Sequence, residues 1–158
     1  DILLKAYIKL LLNFPTVHMV FAGPDEGLRD QLRKEIKKES LENRIHLIGY
    51  IESYDKVGAY TGAEFLVVPS RREAMSIVAL EAGACGTPVI LSTECGFDEV
   101  KEVGCKVVQP NAEELYNGMN SMLSSSKSLK ALGNDLRNLI LDRYTWKKTA
   151  EQYLKFLP

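Results

Sequence analysis

The chain has 158 residues, with 20 Lys and Arg against 21 Asp and Glu, a formal charge of −1. That length supplies one domain, at about 100–200 residues per domain, and 46% hydrophobic with 26% charged residues is ordinary soluble composition. The balanced charge lacks the basic footprint of a nonspecific nucleic-acid binder, so no nucleic-acid partner is expected. Three cysteines, Cys85, Cys95 and Cys105, cannot all pair. None forms a C-x-x-C, and two histidines are too few for a Cys/His zinc pattern, so the cysteines read as reduced thiols of a cytosolic protein.

The first segment, Ile2 to Phe14, is strongly apolar, with Asp1, Lys5, Lys9 and Asn13 spaced by four. Residues four apart share a helical stripe, so the spacing predicts a helix buried on most of its surface and ended by Pro15. No apolar run reaches the ~18 residues of a transmembrane helix. The segment has no basic leader, and Phe14-Pro15-Thr16 stands where a signal peptide would have a small-residue cleavage site. The chain opens inside this helix with no strand before it, which suggests a piece of something longer.

Val17 to Ala22 is a short run of β-formers closed by Gly23-Pro24, a strand. Asp25 is placed to cap a helix from Glu26 to Glu39, whose Leu28, Leu32 and Ile36 make one narrow apolar edge. Arg44 to Ile48 reads as a strand stopped by Gly49, and Ser53 as the cap of a short helix to Thr61. Phe65 to Val68 is an apolar strand, Ser76 to Ala84 a helix broken by Gly86, Pro88 to Leu91 a strand and Lys106 to Val108 a shorter one. Three helices close the chain, Ala112 to Leu123, Leu129 to Arg143 and Trp146 to Phe156.

Strands alternating with helices predict a parallel sheet with helices on both faces. Right-handed crossovers place every strand's C-terminal end on one edge, where ligands bind. The loops to search are therefore Gly23 to Glu26, Gly49 to Ser53, Pro69 to Ser76 and Ser92 to Asp98.

The densest signal runs from Val67 to Ile90. The helix opening at Ser76-Ile77-Val78 has unpartnered first amides facing the ligand edge, a terminus suited to phosphate or diphosphate, with Ser76 as N-cap or further donor. Glu73 and Glu81 flank it. Eight residues of helix would separate them by ~80° and ~12 Å, too far to share one reacting atom. One acid can then sit above the helix and the other in its second turn, each accepting from sugar hydroxyls. On spacing alone, an exposed loop acid and a solvated helix residue explain the pair as well.

Pro69-Ser70, Glu73, Glu81-Ala82, Gly86 and Pro88-Val89 resemble the signature of the retaining glycosyltransferases of the glycosyl-transferase group 1 type, including its two glutamates with seven residues between. Asn13-Phe14-Pro15, Val20 to Gly23, Ile45 to Gly49 and Tyr144-Thr145-Trp146 are similar to that family's other conserved segments, so the resemblance spans nearly the whole chain. It implies the GT-B architecture, two Rossmann-like domains around a cleft. Residues 1–158 would be the C-terminal nucleotide-sugar-binding domain, lacking its first strand and the N-terminal acceptor domain. It also implies that Glu73 lies against the donor sugar and Glu81 on the ribose hydroxyls. The amides of Ser76, Ile77 and Val78 would lie near the phosphates, and the loop at Tyr50-Ile51 against the nucleobase. Two features depart from the pattern. Ala74-Met75-Ser76 replaces the family's Gly-Phe-Gly, and the Arg and Lys that grip the diphosphate fall before Asp1.

Against this, His18 and His46 read as structural strand residues, Cys85 as packing, and Trp146 as the anchor of the last helix. Arg71 and Arg72 read as a solvated loop pair, and Glu99, near Glu94 and Asp98, as a capping or solvated acid. With no Asp-x-Asp, no metal and no cofactor are expected beside the donor substrate, a UDP-sugar or other nucleotide diphosphate sugar. The function expected is retaining, hexosyltransferase-type sugar transfer to an acceptor hydroxyl in polysaccharide or lipid-linked glycan synthesis. A glycan or lipid-linked acceptor would bind through the missing domain, in the cytoplasm and at the inner face of the membrane. This chain alone is expected to be inactive. The alternatives are a GT-B nucleotide-sugar epimerase and a non-catalytic nucleotide-binding module.

Overall fold

The structure is a computed structural model and describes residues 1–155. In chain order its elements are α1 (Ile2–Leu10), β1 (Met19–Ala22), α2 (Arg29–Lys38), β2 (Ile45–Gly49), α3 (Ser53–Gly62), β3 (Leu66–Val68), α4 (Ile77–Ala84), β4 (Val89–Ser92), a 3₁₀ helix (Asp98–Val103), β5 (Lys106–Val108), α5 (Ala112–Leu123), α6 (Leu129–Arg143) and α7 (Trp146–Leu154). The expected end of α7 at Phe156 lies outside the described residues.

Every strand pairing is parallel, as the alternation predicts. The pairings fall into two groups, β1 with β2 and β3-β4-β5, with Ile90 of β4 opposite Lys106 of β5. Helices cover both faces. On one side α1, α2 and α5 bury Leu4, Tyr7, Ile36, Leu115 and Met119 against Ile45 and Ile90. On the other, Tyr60 of α3, Ala79 and Ala82 of α4 and Leu136 and Ile140 of α6 pack on Val68, Val89 and Leu91. The first cluster also takes in Phe21 of β1 and Val67 of β3, so both groups of strands share one core although β1 and β3 form no ladder with each other.

The polar stripe of α1 lies outward as its spacing requires, with Lys9 paired to Glu113 at 2.7 Å and Asn13 bonded to Tyr116 and Asn120 on α5. The helix stops at Leu10 and not at Pro15. Leu12 and Asn13 instead donate three residues back, to Lys9 and Leu10, a tightening common at helix ends. Likewise α2 begins at Arg29, because Asp25 uses its carboxylate on the amides of Gly27 and Arg29 and caps a turn ahead of the helix. Ser53 is the first residue of α3 with φ +52°, and Glu52 holds the N-cap position.

His18 and His46 answer each other. His18 Nδ1 lies 3.0 Å from His46 Nε2, and the rings are near coplanar, 4° apart with centroids 5.4 Å apart. That separation is what two rings meeting edge to edge through one in-plane hydrogen bond require. Arg44 donates to His18 Nε2, so His18 Nδ1–H is the donor to His46, a tautomer assigned from the network.

Trp146 does not anchor the last helix: its residue is 90% exposed and no residue of α7 is buried. The anchor is Tyr144, two residues earlier, whose ring meets buried Phe97 edge-on at 5.0 Å. Trp146 occupies the first helical position after the Thr145 cap and lies open to solvent.

Candidate functional site

Within each parallel group the strands end on one edge, and hydrogen bonds between the following loops build the site there. Three loops are tied together. The Glu73 amide donates to the Glu94 carbonyl at 2.9 Å, and the Ser76 amide to the Cys95 carbonyl at 3.0 Å, joining the loop after β3 to that after β4. Ser92 Oγ donates to the Ser70 carbonyl and Cys95 Sγ to the Val68 carbonyl, so the strand ends are held too. Gly96 completes the contact. Its φ is +61°, and a Cβ there would strike the Ala74 carbonyl. The third loop, after β2, joins through α3.

Glu81, in the second turn of α4, accepts from Lys56 Nζ at 2.8 Å on Oε1 and from Tyr60 Oη at 2.9 Å on Oε2. Glu81 is thus not free, although its side chain stays partly exposed. The hydrogen bond from Lys56 raises the lysine's pKa, and burial, with Glu81 adding to it, pushes the Tyr60 phenol far up. Lys56 and Tyr60 escaped the sequence reading. Their signal was their spacing of four on α3, which puts them on one helical face.

At the N-terminus of α4, Ser76 is fully buried and holds the N-cap position, but its side chain makes no cap bond and Oγ is buried without a partner among the described residues. Its amide is already given to Cys95, so the unpaired amides of the first turn begin at Ile77 and Val78. These two residues are 59% and 40% exposed, at an open end of the helix. Glu73 is half-buried, with Oε2 enclosed and unpartnered among the described residues. The sequence-predicted set Glu73, Ser76, Ile77, Val78 and Glu81 therefore surrounds the opening of one helix. Ile51 stands apart, half-buried, in the loop between β2 and α3, beside Tyr50, which is 69% exposed.

Ala74 and Met75 stand where the resemblance places Gly and Phe, yet the helix opening is intact, because the loop is held by backbone bonds to Glu94 and Cys95. Arg71, in the same loop, pairs with Asp1 at 2.9 Å. Among the described residues no three His, Cys, Asp or Glu side chains come together to hold a metal ion, and the three cysteines are free. Burial raises the Cys105 thiol pKa, which disfavours the reactive thiolate. Among the described residues no helix is long and apolar enough to cross a membrane.

Parallel strands between helical layers, with two acids flanking an uncapped helix N-terminus at the strand ends, define a Rossmann-like domain. The family model for glycosyl transferases group 1 matches residues 1–139. The chain belongs to that family. An uncharacterized glycosyltransferase of Methanocaldococcus jannaschii is 28% identical over 155 residues, spanning 96% of this chain and 39% of its own. Among solved structures, the C-terminal domain of a group 1 glycosyl transferase from Francisella tularensis superposes with TM-score 0.80 at 22% identity, covering 92% of this chain and 78% of that one. The Anabaena protein HepE, solved in complex with UDP, gives 0.83 at 22% identity over 98% of this chain and 43% of its own. The chain thus spans about two fifths of the length of the full-length relatives it matches, and its fold is that of one half of a GT-B glycosyltransferase.

Proposed function

We propose that this chain is the donor-binding domain of a retaining, hexosyltransferase-type glycosyltransferase, holding a nucleotide diphosphate sugar for transfer to an acceptor hydroxyl. The observation that carries the reading is the open end of α4, with free amides at Ile77 and Val78, unpartnered polar atoms on Ser76 and Glu73, and Glu81 one turn inside. The amides and helix dipole meet the diphosphate, and their fixed orientation stabilises the charge that develops as the nucleotide leaves. Glu73 orients the transferred sugar, Glu81 accepts from the ribose hydroxyls, and Ile51 with Tyr50 lies against the base. Donor binding uses no metal and no cofactor. The UDP complex of HepE supports a nucleotide ligand for this fold.

The unpaired sides of β1 and β3, over a core they share, support a further parallel strand between them, supplied from outside the 158 residues. An N-terminal domain beyond it binds a glycan or lipid-linked acceptor. We place the full protein in polysaccharide or lipid-linked glycan synthesis, in the cytoplasm at the membrane's inner face, and this chain alone transfers no sugar.

Calorimetry with UDP, GDP and ADP, each with EDTA and with Mg²⁺, tests the reading. One nucleotide binds in preference to the others, equally under both conditions, and Glu81→Ala weakens it about tenfold, the loss of a charged hydrogen-bond acceptor. Unchanged binding by Glu81→Ala removes Glu81 from the site. Absence of binding to all three contradicts the reading.

A further inference from the structure

On the donor-site reading above, we propose that Lys56 and Tyr60 are positioning residues that hold the Glu81 carboxylate ready for a ribose. Each gives one donor to one carboxylate oxygen, Lys56 to Oε1 and Tyr60 to Oε2. A carboxylate has about four acceptor positions, so one remains on each oxygen, the number that two adjacent ribose hydroxyls fill. Glu has a long, flexible side chain whose ordering opposes binding, and the two bonds from α3 impose that order before the ligand arrives.

The clamp is rigid at its root. The buried Tyr60 ring lies in the core beside α4, and its backbone carbonyl accepts from buried Thr87 Oγ1 at 2.7 Å, fixing α3 to the turn between α4 and β4. Lys56 has a second effect. Glu81 is an anion close to a proposed diphosphate site, and the ammonium 2.8 Å away offsets its repulsion. Both partners of that pair remain about a third exposed, 36% and 34%, so the bond contributes little to folding and is free to serve the ligand.

The test is titration of the 158-residue chain with UDP, GDP and ADP and with their 2′,3′-dideoxy counterparts, alongside thermal melting. The wild-type chain prefers its ribonucleotide to the dideoxy form by about tenfold. Tyr60→Phe, which keeps the ring, cuts that preference to about twofold while leaving dideoxy affinity and melting unchanged. A merely structural role would move those instead. Lys56→Met also cuts the preference and weakens the dideoxy diphosphate, and Lys56→Arg restores both. If Glu81→Gln abolishes the preference but Tyr60→Phe and Lys56→Met keep it, the proposal fails and the donor reading stands. Full preference in only one of those two variants strikes that residue from the clamp. If Glu81→Gln itself keeps the preference, Glu81 does not hold the ribose and the clamp proposal falls with it, while the donor reading loses only Glu81. Binding of none of the nucleotides overturns both.

Discussion

Gly96 is the residue on which the site's backbone most depends. It combines a left-handed φ of +61° with contact to the Ala74 carbonyl, one residue after Glu73. A methyl there strains the backbone and pushes two tied loops apart. Gly96→Ala is therefore expected to cost about 1–3 kcal/mol, read as a lower urea midpoint. It should also weaken nucleotide binding, because Glu73 and the Ile77 amide ride on the displaced loop. A normal midpoint with normal affinity would show that the loop contact does not set the site. The two glutamates were singled out by their resemblance to the family signature, since their types and spacing alone fit a solvated pair as well. Lys56 and Tyr60 were not, because their partner lies 25 and 21 residues further along the chain. The full use of the Ser76 amide was equally hidden, since its acceptor, Cys95, comes from another loop.

Among the elements, those with strong periodicity were read correctly. The stripe on α1 and the apolar runs of β3 and β4 each depend on local pattern alone. The 3₁₀ helix Asp98–Val103 was missed, because three residues per turn over six residues leaves no recurring apolar stripe. It is held from outside by Arg143 at the end of α6, both of whose terminal nitrogens donate to its Glu102, at 3.0 and 2.8 Å. That bond from Arg143 lowers the Glu102 pKa from its ordinary 4.5. A carboxylate with a lowered folded-state pKa contributes stability that is complete above its unfolded value and lost as pH falls through the folded one. The melting temperature of Glu102→Gln should accordingly lie below that of the wild-type chain at pH 7, and the gap should close in acid below pH 4.5. Both groups are exposed, so the gap is small. A gap of constant size from pH 7 to pH 3 would contradict the pairing. Trp146 was misread for a reason at this scale: an aromatic at a helix start signals burial only if a neighbouring element covers it, and no residue of α7 is buried.

For the molecule as a whole, alternation of strand and helix was enough to fix a parallel sheet with helices on both faces. It did not reveal that the sheet divides between β1 and β3, because pairing across a sheet is long-range and no local pattern records a missing neighbour. The division also orders the functional surface. The contacts that build the site run from α3 to α4 and from the loop after β3 to that after β4, all beside the three-stranded group. The donor reading therefore rests on the three-stranded half of the fold, in which β3 keeps one unpaired side. Its most direct measurement is a crystal structure of this chain with the nucleoside diphosphate it binds best. The account predicts the diphosphate within hydrogen-bonding distance of the Ile77 and Val78 amides and the ribose hydroxyls on Glu81. A nucleotide lodged elsewhere, with the end of α4 empty, would contradict it.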